Sequence, residues 1–387
     1  GVSSDSLYNT VGGTNAGDSL DGTNAYNNTL FGYDAGTAIT EGSNNTIFGS
    51  DAGETLTTGN NHCLFGLYAG RYLTTGQRNT FIGMAAGQNA TTGNDNVAVG
   101  KQSHNYLTTG QYNTSVGTDS GRAITTGGYN CLYGYRTGYA MTTGYDNSIF
   151  GYHAGYSQTT AYGNCLFGID AGYSLTTGHE EVFMGKFAGK SVTTGNLNVA
   201  VGGHAGKNIT TSVNNTCVGP YAGRDISTGG YNVAVGAYAG WNTTTGSNNV
   251  SIGYFADPTS ATASNEFTLG NASISVLRCQ RTSITSLSDR RDKTDIIDLP
   301  VGLNFINSLK PRQFKWQTRE GVPNKDGTVR AGFIAQELQE AQKDCNFLDL
   351  VYDSNPDKLE ATQGNLIPVL VKAIQELSAK VTALEAG

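Results

Sequence analysis

A glycine recurs every 17 residues through most of this chain, from Gly32, Gly49 and Gly66 without a slip to Gly253. A fixed short period marks a solenoid or fibre, in which each unit stacks on the next, and not a globular enzyme. Four residues before the marker glycine stands an asparagine, as at Asn28, Asn45, Asn79, Asn96 and Asn249, with His62 and Glu181 as the exceptions. Three β-forming or small residues lie between them. The first is Thr, Val, Ser or Cys; the third is larger, as at Phe48, Ile82, Val99 and Tyr133. Period-two alternation puts the first and third on one face of a strand. An A-G pair usually follows the marker, and an apolar residue such as Leu56 or Ile124 often precedes a T-T-G.

Each repeat therefore supplies one very short strand, a tight glycine turn and a second segment closed by T-T-G. A strand this short buries no core alone, but stacked copies turn every column into a ladder. Stacked asparagine amides can donate and accept along the axis, and the glycines permit positive φ or close backbone approach at the corners. About 15 coils at strand spacing make a shaft roughly 70 Å long. Asn232-Val-Ala-Val-Gly236-Ala-Tyr-Ala-Gly240 resembles the head repeats of trimeric autotransporter adhesins. That resemblance implies a trimeric β-roll, and because the unit is longer here the outer part of each coil is expected to bulge. A monomeric β-solenoid is the other architecture the pattern allows.

Composition changes near residue 283. Of 24 basic and 31 acidic residues, 13 and 15 lie in 283–387, whereas 47 of the 53 glycines precede it. The expected organisation is a β-repeat shaft over 1–256, a β neck with a cleavage junction over 257–287, and a small α+β domain over 288–387 ending in a helix over 366–385. A net charge of −7 argues against a nucleic-acid surface, and no apolar run is long enough to span a bilayer as a helix. Cys63, Cys131 and Cys165 share the first strand position and read as small buried residues, not as a disulfide framework. Five scattered histidines form no ligand pattern, so no metal or other cofactor is expected. Asp34 and Asp51 share a column and read as solvated carboxylates or a weak cation site. The 21 tyrosines, Tyr221 and Tyr238 among them, read as glycan contacts or as stacking spacers.

Beyond the repeat come Ser288-Asp289-Arg290-Arg291-Asp292-Lys293, then Leu309-Lys-Pro-Arg-Gln-Phe-Lys-Trp316, Ala331-Gly-Phe-Ile-Ala-Gln-Glu-Leu338 and Leu366-Ile-Pro-Val-Leu-Val-Lys-Ala-Ile-Gln-Glu-Leu377. Together these resemble the C-terminal intramolecular chaperone domain of phage endosialidases, tail fibres and neck appendages. The resemblance implies self-cleavage on the N-terminal side of the serine, between Leu287 and Ser288. A serine needs a base to act at neutral pH, and no histidine lies beyond His204. Lys293 is the nearest base if burial or the charge of Arg290 and Arg291 lowers its pKa. Asp289 is placed to orient the turn, and Arg291 to position backbone or bind an acid. The activity implied is one cut per chain.

In the last segment Ile367, Leu370, Ile374, Leu377, Val381 and Leu384 alternate by three and four residues. This is a short heptad seam, read as trimerising with the rest of the chaperone domain. The expected protein is a homotrimeric phage tail fibre or appendage, extracellular on the virion and assembled in the host cytoplasm. Its partners would be tail or baseplate proteins and a host surface receptor such as a glycan, with no nucleic acid and no membrane insertion. A fibre of a contractile injection system and a trimeric bacterial surface adhesin remain alternatives. A glycan-degrading enzyme ranks below them, because the repeat carries no recurrent acidic pair.

Overall fold

A computed structural model describes residues 2–274, 276–278, 280, 288–315, 328–353, 355–357 and 359–387. Leu287, Trp316 and Cys279 lie outside the described residues. The chain divides into two compact units, Gly1–Gly270 and Asn271–Gly387.

The first unit is a β-solenoid with one three-residue strand per coil. After β1 (Val2–Ser4) and β2 (Thr10–Gly12), which pair antiparallel, the strands run from β3 (Thr29–Phe31) and β4 (Thr46–Phe48) to β16 (Val250–Ile252) and β17 (Phe267–Leu269). From β2 onward each strand pairs in parallel with the next, and from β3 onward each residue faces the one 17 later. The expected boundary at 256 falls inside the last coil. Gly270 keeps the 17-residue step, and β17 pairs in register with β16, although Asp257-Pro258 and Glu266 have replaced the usual signature.

The core runs along the inside of the coils. From β3 to β16 the middle residue of each strand is buried, as at Leu30, Ile47, Leu64, Phe81 and Leu132. The Ala of the A-G pair and the apolar residue before T-T-G, such as Ala35 and Leu56, complete it. The first and third strand residues face outward. Cys63, Cys131 and Cys165 are accordingly half-buried, not core residues. A three-residue strand that is apolar on both faces does not reveal which face turns inward.

Each coil is bonded to the next at every corner. Gly53 N–H donates to Ala69 O at 3.0 Å, and Thr57 donates to Thr74 O through both its amide (3.0 Å) and its hydroxyl (3.2 Å). The T-T-G segment thus has its own ladder; it stacks instead of bulging free. The marker glycines allow the closest approach. A Cβ on Gly151, whose φ is +140°, would lie 2.3 Å from Gly168 O.

Two further corners adopt left-handed backbone without glycine. Asp34, Asp51 and Asp170 do so two residues after the marker, and Asn27, Asn44 and Asp95 five before it. Asn and Asp tolerate that region best, which gives the Asp34–Asp51 column a conformational role. Asp34 accepts from Asn15 Nδ2 at 2.8 Å, and Asp51 accepts from Ser50 Oγ at 2.7 Å. No group of three metal-ligating side chains occurs among the described residues.

The buried asparagine column binds three coils at once. Asn113 Nδ2 donates to Asn96 Oδ1 (3.1 Å) and to Gly127 O (2.9 Å), and its backbone N–H donates to Asn96 Oδ1 at 3.0 Å. The two exceptions keep the ladder going by different chemistry. His62 Nδ1 accepts from Asn79 N–H at 3.1 Å while Nε2 faces Gly76 O at 2.8 Å, so the ring must be neutral with its hydrogen on Nε2. Glu181 accepts from the backbone and side-chain nitrogens of Asn198 at 2.9 and 3.1 Å.

Burial lowers the His62 pKa to about 4 and raises that of Glu181 to about 8. Between pH 6.5 and 4 the unfolded chain binds a proton at His62 that the folded chain refuses, so stability falls with pH across that window. The two pKa values correspond to an effect on the order of 3 kcal/mol. For Glu181 the sign reverses: the folded state holds the extra proton, and stability falls as pH rises from about 4.5 to 8. His62→Asn is expected to remove the His62 share of the acid loss and Glu181→Asn the alkaline loss, read as melting temperature from pH 4 to 9. Unchanged pH profiles in both variants would contradict the assigned protonation states.

The second unit is α+β. β18 (Arg312–Phe314) pairs antiparallel with β19 (Arg330–Gly332), and β20 (Val351–Tyr352) with β21 (Glu360–Ala361). The helices are α1 (Leu303–Ser308), α2 (Ala335–Ala341) and α3 (Leu366–Glu385). Phe305, Leu338, Leu348, Leu350, Val351, Leu366 and Val369 form its core. Two sequence motifs meet in one ion pair: Arg312 donates to Glu337 from Nε (2.9 Å) and Nη2 (2.5 Å). A bidentate fork of this kind fixes orientation as well as contact. Glu376 on α3 accepts the Leu303 N–H at 2.9 Å, capping the start of α1.

Candidate functional site

The segment that opens the second unit folds as a single tight turn. Asp289 caps a short 3-10 helix, Arg290–Asp292, by accepting the Arg291 N–H at 2.8 Å. The Arg291 guanidinium grips the same carboxylate from Nε at 3.1 Å and Nη2 at 2.6 Å. This pair holds Asp289 below the usual carboxylate range, chiefly through the Arg291 side-chain hydrogen bond. The turn carries the chain round so that Lys293 Nζ donates to Ser288 Oγ at 2.5 Å. A nucleophile and an amine base separated by five residues thus meet directly, the geometry an activated serine requires.

The four candidate residues fall into two pairs with separate jobs. Asp289 and Arg291 fix the turn, and the acid that Arg291 binds is only two residues away. Ser288 and Lys293 are the pair whose reactive side-chain atoms meet. Arg291 spends its charge on Asp289, so it does not act on Lys293 as a free cation. Ser288 and Lys293 are both exposed to water. Self-cleavage through this pair would need groups that pack over it and lower the local dielectric.

The heptad seam on α3 stays open. Ile374 is 66% and Leu384 81% exposed, and Ile367, Leu370, Leu377 and Val381 are also exposed. The helix packs on its own domain through a neighbouring face, with Leu366, Val369 and Ala373 buried.

Many tyrosines of the shaft stack on their neighbours. His204, Tyr221, Tyr238 and Phe255 form a column with ring centroids 4.7, 5.0 and 4.5 Å apart. In that column neighbouring rings cover one another's faces, and Tyr221 and Tyr238 act as spacers.

Two buried polar groups in the shaft escaped the sequence reading. His104 replaces the glycine four residues past the marker, with φ +50°, and lies wholly inside the core. Its Nε2 sits 2.6 Å from Ser115 Oγ while Nδ1 has no hydrogen-bond partner. The small Ala98 and Ser115 make room for the ring. Burial lowers its pKa to about 3, so it adds to the acid sensitivity argued for His62. Gln158 replaces the apolar residue before T-T-G and is buried with both amide atoms unpaired. Its cost is that of an unsatisfied polar group. The only sequence signal for either residue is a departure from its column.

Compared with known proteins, residues 288–347 match the family described as Chaperone of endosialidase. The chain thus carries a chaperone-of-endosialidase domain joined to a β-solenoid of about 15 turns. The match begins at Ser288 and ends before α3, so the heptad seam lies outside it. No curated protein matches the chain, and no solved structure does.

Proposed function

We propose that this chain is the shaft of a homotrimeric phage tail fibre or appendage, whose last 100 residues act as an intramolecular chaperone and then cut themselves off at Leu287–Ser288. The observation that carries this reading is the Ser288–Lys293 hydrogen bond at the first residue of the chaperone match. Repeated coils offer many pairings of nearly equal energy, and a trimerising end selects one. Trimer assembly would cover the exposed Ser288–Lys293 pair and so time the cut.

In that cut the Ser288 hydroxyl gives its proton to the Lys293 amine and adds to the Leu287 carbonyl. The C–N bond breaks, Lys293 returns the proton to the leaving nitrogen, and water hydrolyses the ester. The finished fibre would sit outside the cell on the particle, held by tail or baseplate proteins and meeting a host surface receptor.

Intact mass tests the chemistry. Wild type is expected to give fragments 1–287 and 288–387, and Ser288→Ala and Lys293→Met a single full-length chain. One uncut mass in folded wild type, or fragments from Ser288→Ala, would overturn self-cleavage.

A further inference from the structure

Among the described residues of its own unit, nothing covers the outer face of the parallel sheet. It consists of the first and third residue of every strand. The third-residue column from Phe31 to Leu269 contains only Phe, Ile, Val, Tyr, Met and Leu. The first-residue column holds Thr, Cys, Ser, Val and, in the last strand, Phe267. Neither column contains a charge over fifteen coils, whereas the position after the marker glycine includes Lys101 and Lys186. Phe48 is 47% and Phe65 51% exposed, and Ile82, Met184, Val235 and Ile252 are also exposed. Phe31, Phe48 and Phe65 stack at 5.6 and 5.1 Å, and Tyr133, Phe150 and Phe167 at 5.0 and 4.6 Å.

Parallel sheets are found with both faces covered, usually by helices. The described residues of this unit contain no helix. Large side chains of about 150–200 Å² each, exposed by about a third over fifteen rungs, leave roughly 800 Å² of apolar surface. That exceeds the largest patch of a typical monomer and equals one side of a standard protein interface.

We propose that this face is the surface along which copies of this chain pack, parallel and in register, to build the fibre. The occupant is set by length and period. A stripe roughly 70 Å long with a rung at every strand spacing is matched by another sheet of the same length and spacing, and a second copy supplies one. Uncharged sheet faces pack at about 10 Å with their side chains interleaved. Parallel alignment brings the Phe31–Phe65 block of one chain level with that of the next, and the valines at 201, 218 and 235 level with each other. The inference rests on the trimeric reading above and names the shaft surface that reading leaves unspecified.

Site-specific cross-linking of the full chain tests it. In a variant whose six cysteines are replaced, Val235→Cys lies on the proposed face and Thr228→Cys on the exposed Ser227-Thr228-Gly229 corner. After size measurement by light scattering, a short bismaleimide is expected to join chains at Val235→Cys about tenfold more than at Thr228→Cys, through the higher effective concentration in a packed interface. A Val201→Asp/Val235→Asp double variant is expected to lose trimers while keeping its β-sheet circular dichroism. Trimers without preferential linking at Val235→Cys, or trimers that survive both aspartates, overturn this surface and leave the fibre reading standing. A wild-type protein that is monomeric overturns both.

Discussion

A chain ending at residue 287 is expected to aggregate as it folds, whereas the same shaft separated from residues 288–387 after folding stays soluble and trimeric. The reason lies in the sameness of the coils. Sliding one shaft past another by a single coil still sets strand against strand and apolar rung against apolar rung. Only isolated departures such as Phe81, Tyr133 or Met184 in the outward-facing or core columns penalise the slip. Contacts between chains are also distant in sequence and slow to find, and a long uncharged sheet face is exposed while they are sought. A domain that fixes chain number and alignment at one end removes the competing states. Once assembled, the shaft is held by its barrier to unfolding, and loss of the guide does not release it. Soluble yield and light scattering of the truncated and post-folding-cleaved forms decide the matter. Heat-resistant trimers from the truncated gene would refute the need for a guide.

The second large effect is expected from one methyl group. Gly151→Ala places a Cβ 2.3 Å from Gly168 O, on backbone with a φ of +140° that L-residues rarely adopt. The neighbour is backbone and is held by the ladder, so neither side gives way cheaply. Strain and overpacking together are expected to cost about 3–5 kcal/mol. The damage should be local, opening the stack near residues 134–168. Hydrogen exchange and limited proteolysis would show new cleavage there, with distant coils still protected. Gly203→Ala is the matched control. That glycine lacks a positive φ, and nothing lies within 4 Å of its added Cβ. It should change stability by less than about 1 kcal/mol, in the stabilising direction. Equal effects at the two positions would mean that close coil approach does not govern the shaft.

The columns with a single physical job were readable in the chain. Asparagine at the ladder, glycine at the corner and alanine at the second bend each meet one demand, and the structure uses them so. The inward face was not readable, because Phe48 and Ile47 are equally apolar neighbours and only one can point in. His104 and Gln158 each look like repeat drift until the buried ring and amide are seen. The left-handed corners were half-signalled by Asn and Asp, and hidden by Tyr68, Phe187 and Leu197 in the same columns. At the turn, the Ser288–Lys293 spacing was legible as a motif. The division of labour that ties Arg291 to Asp289 needed three dimensions. The α3 seam was legible by spacing, yet the helix docks through Leu366, Val369 and Ala373, a similar pattern displaced along the helix.

Because every coil offers its successor the same edges, the chain can gain or lose a whole number of 17-residue units without disturbing the bonding pattern. Such a change joins one coil to another like it and leaves the bonding on either side intact. Each event alters reach by one strand spacing, about 4.8 Å. The two extra residues between β2 and β3 show that a coil can also take small insertions without losing its pairing. Solenoid length is thus a variable that can change in fixed increments while the domain that follows it stays unchanged.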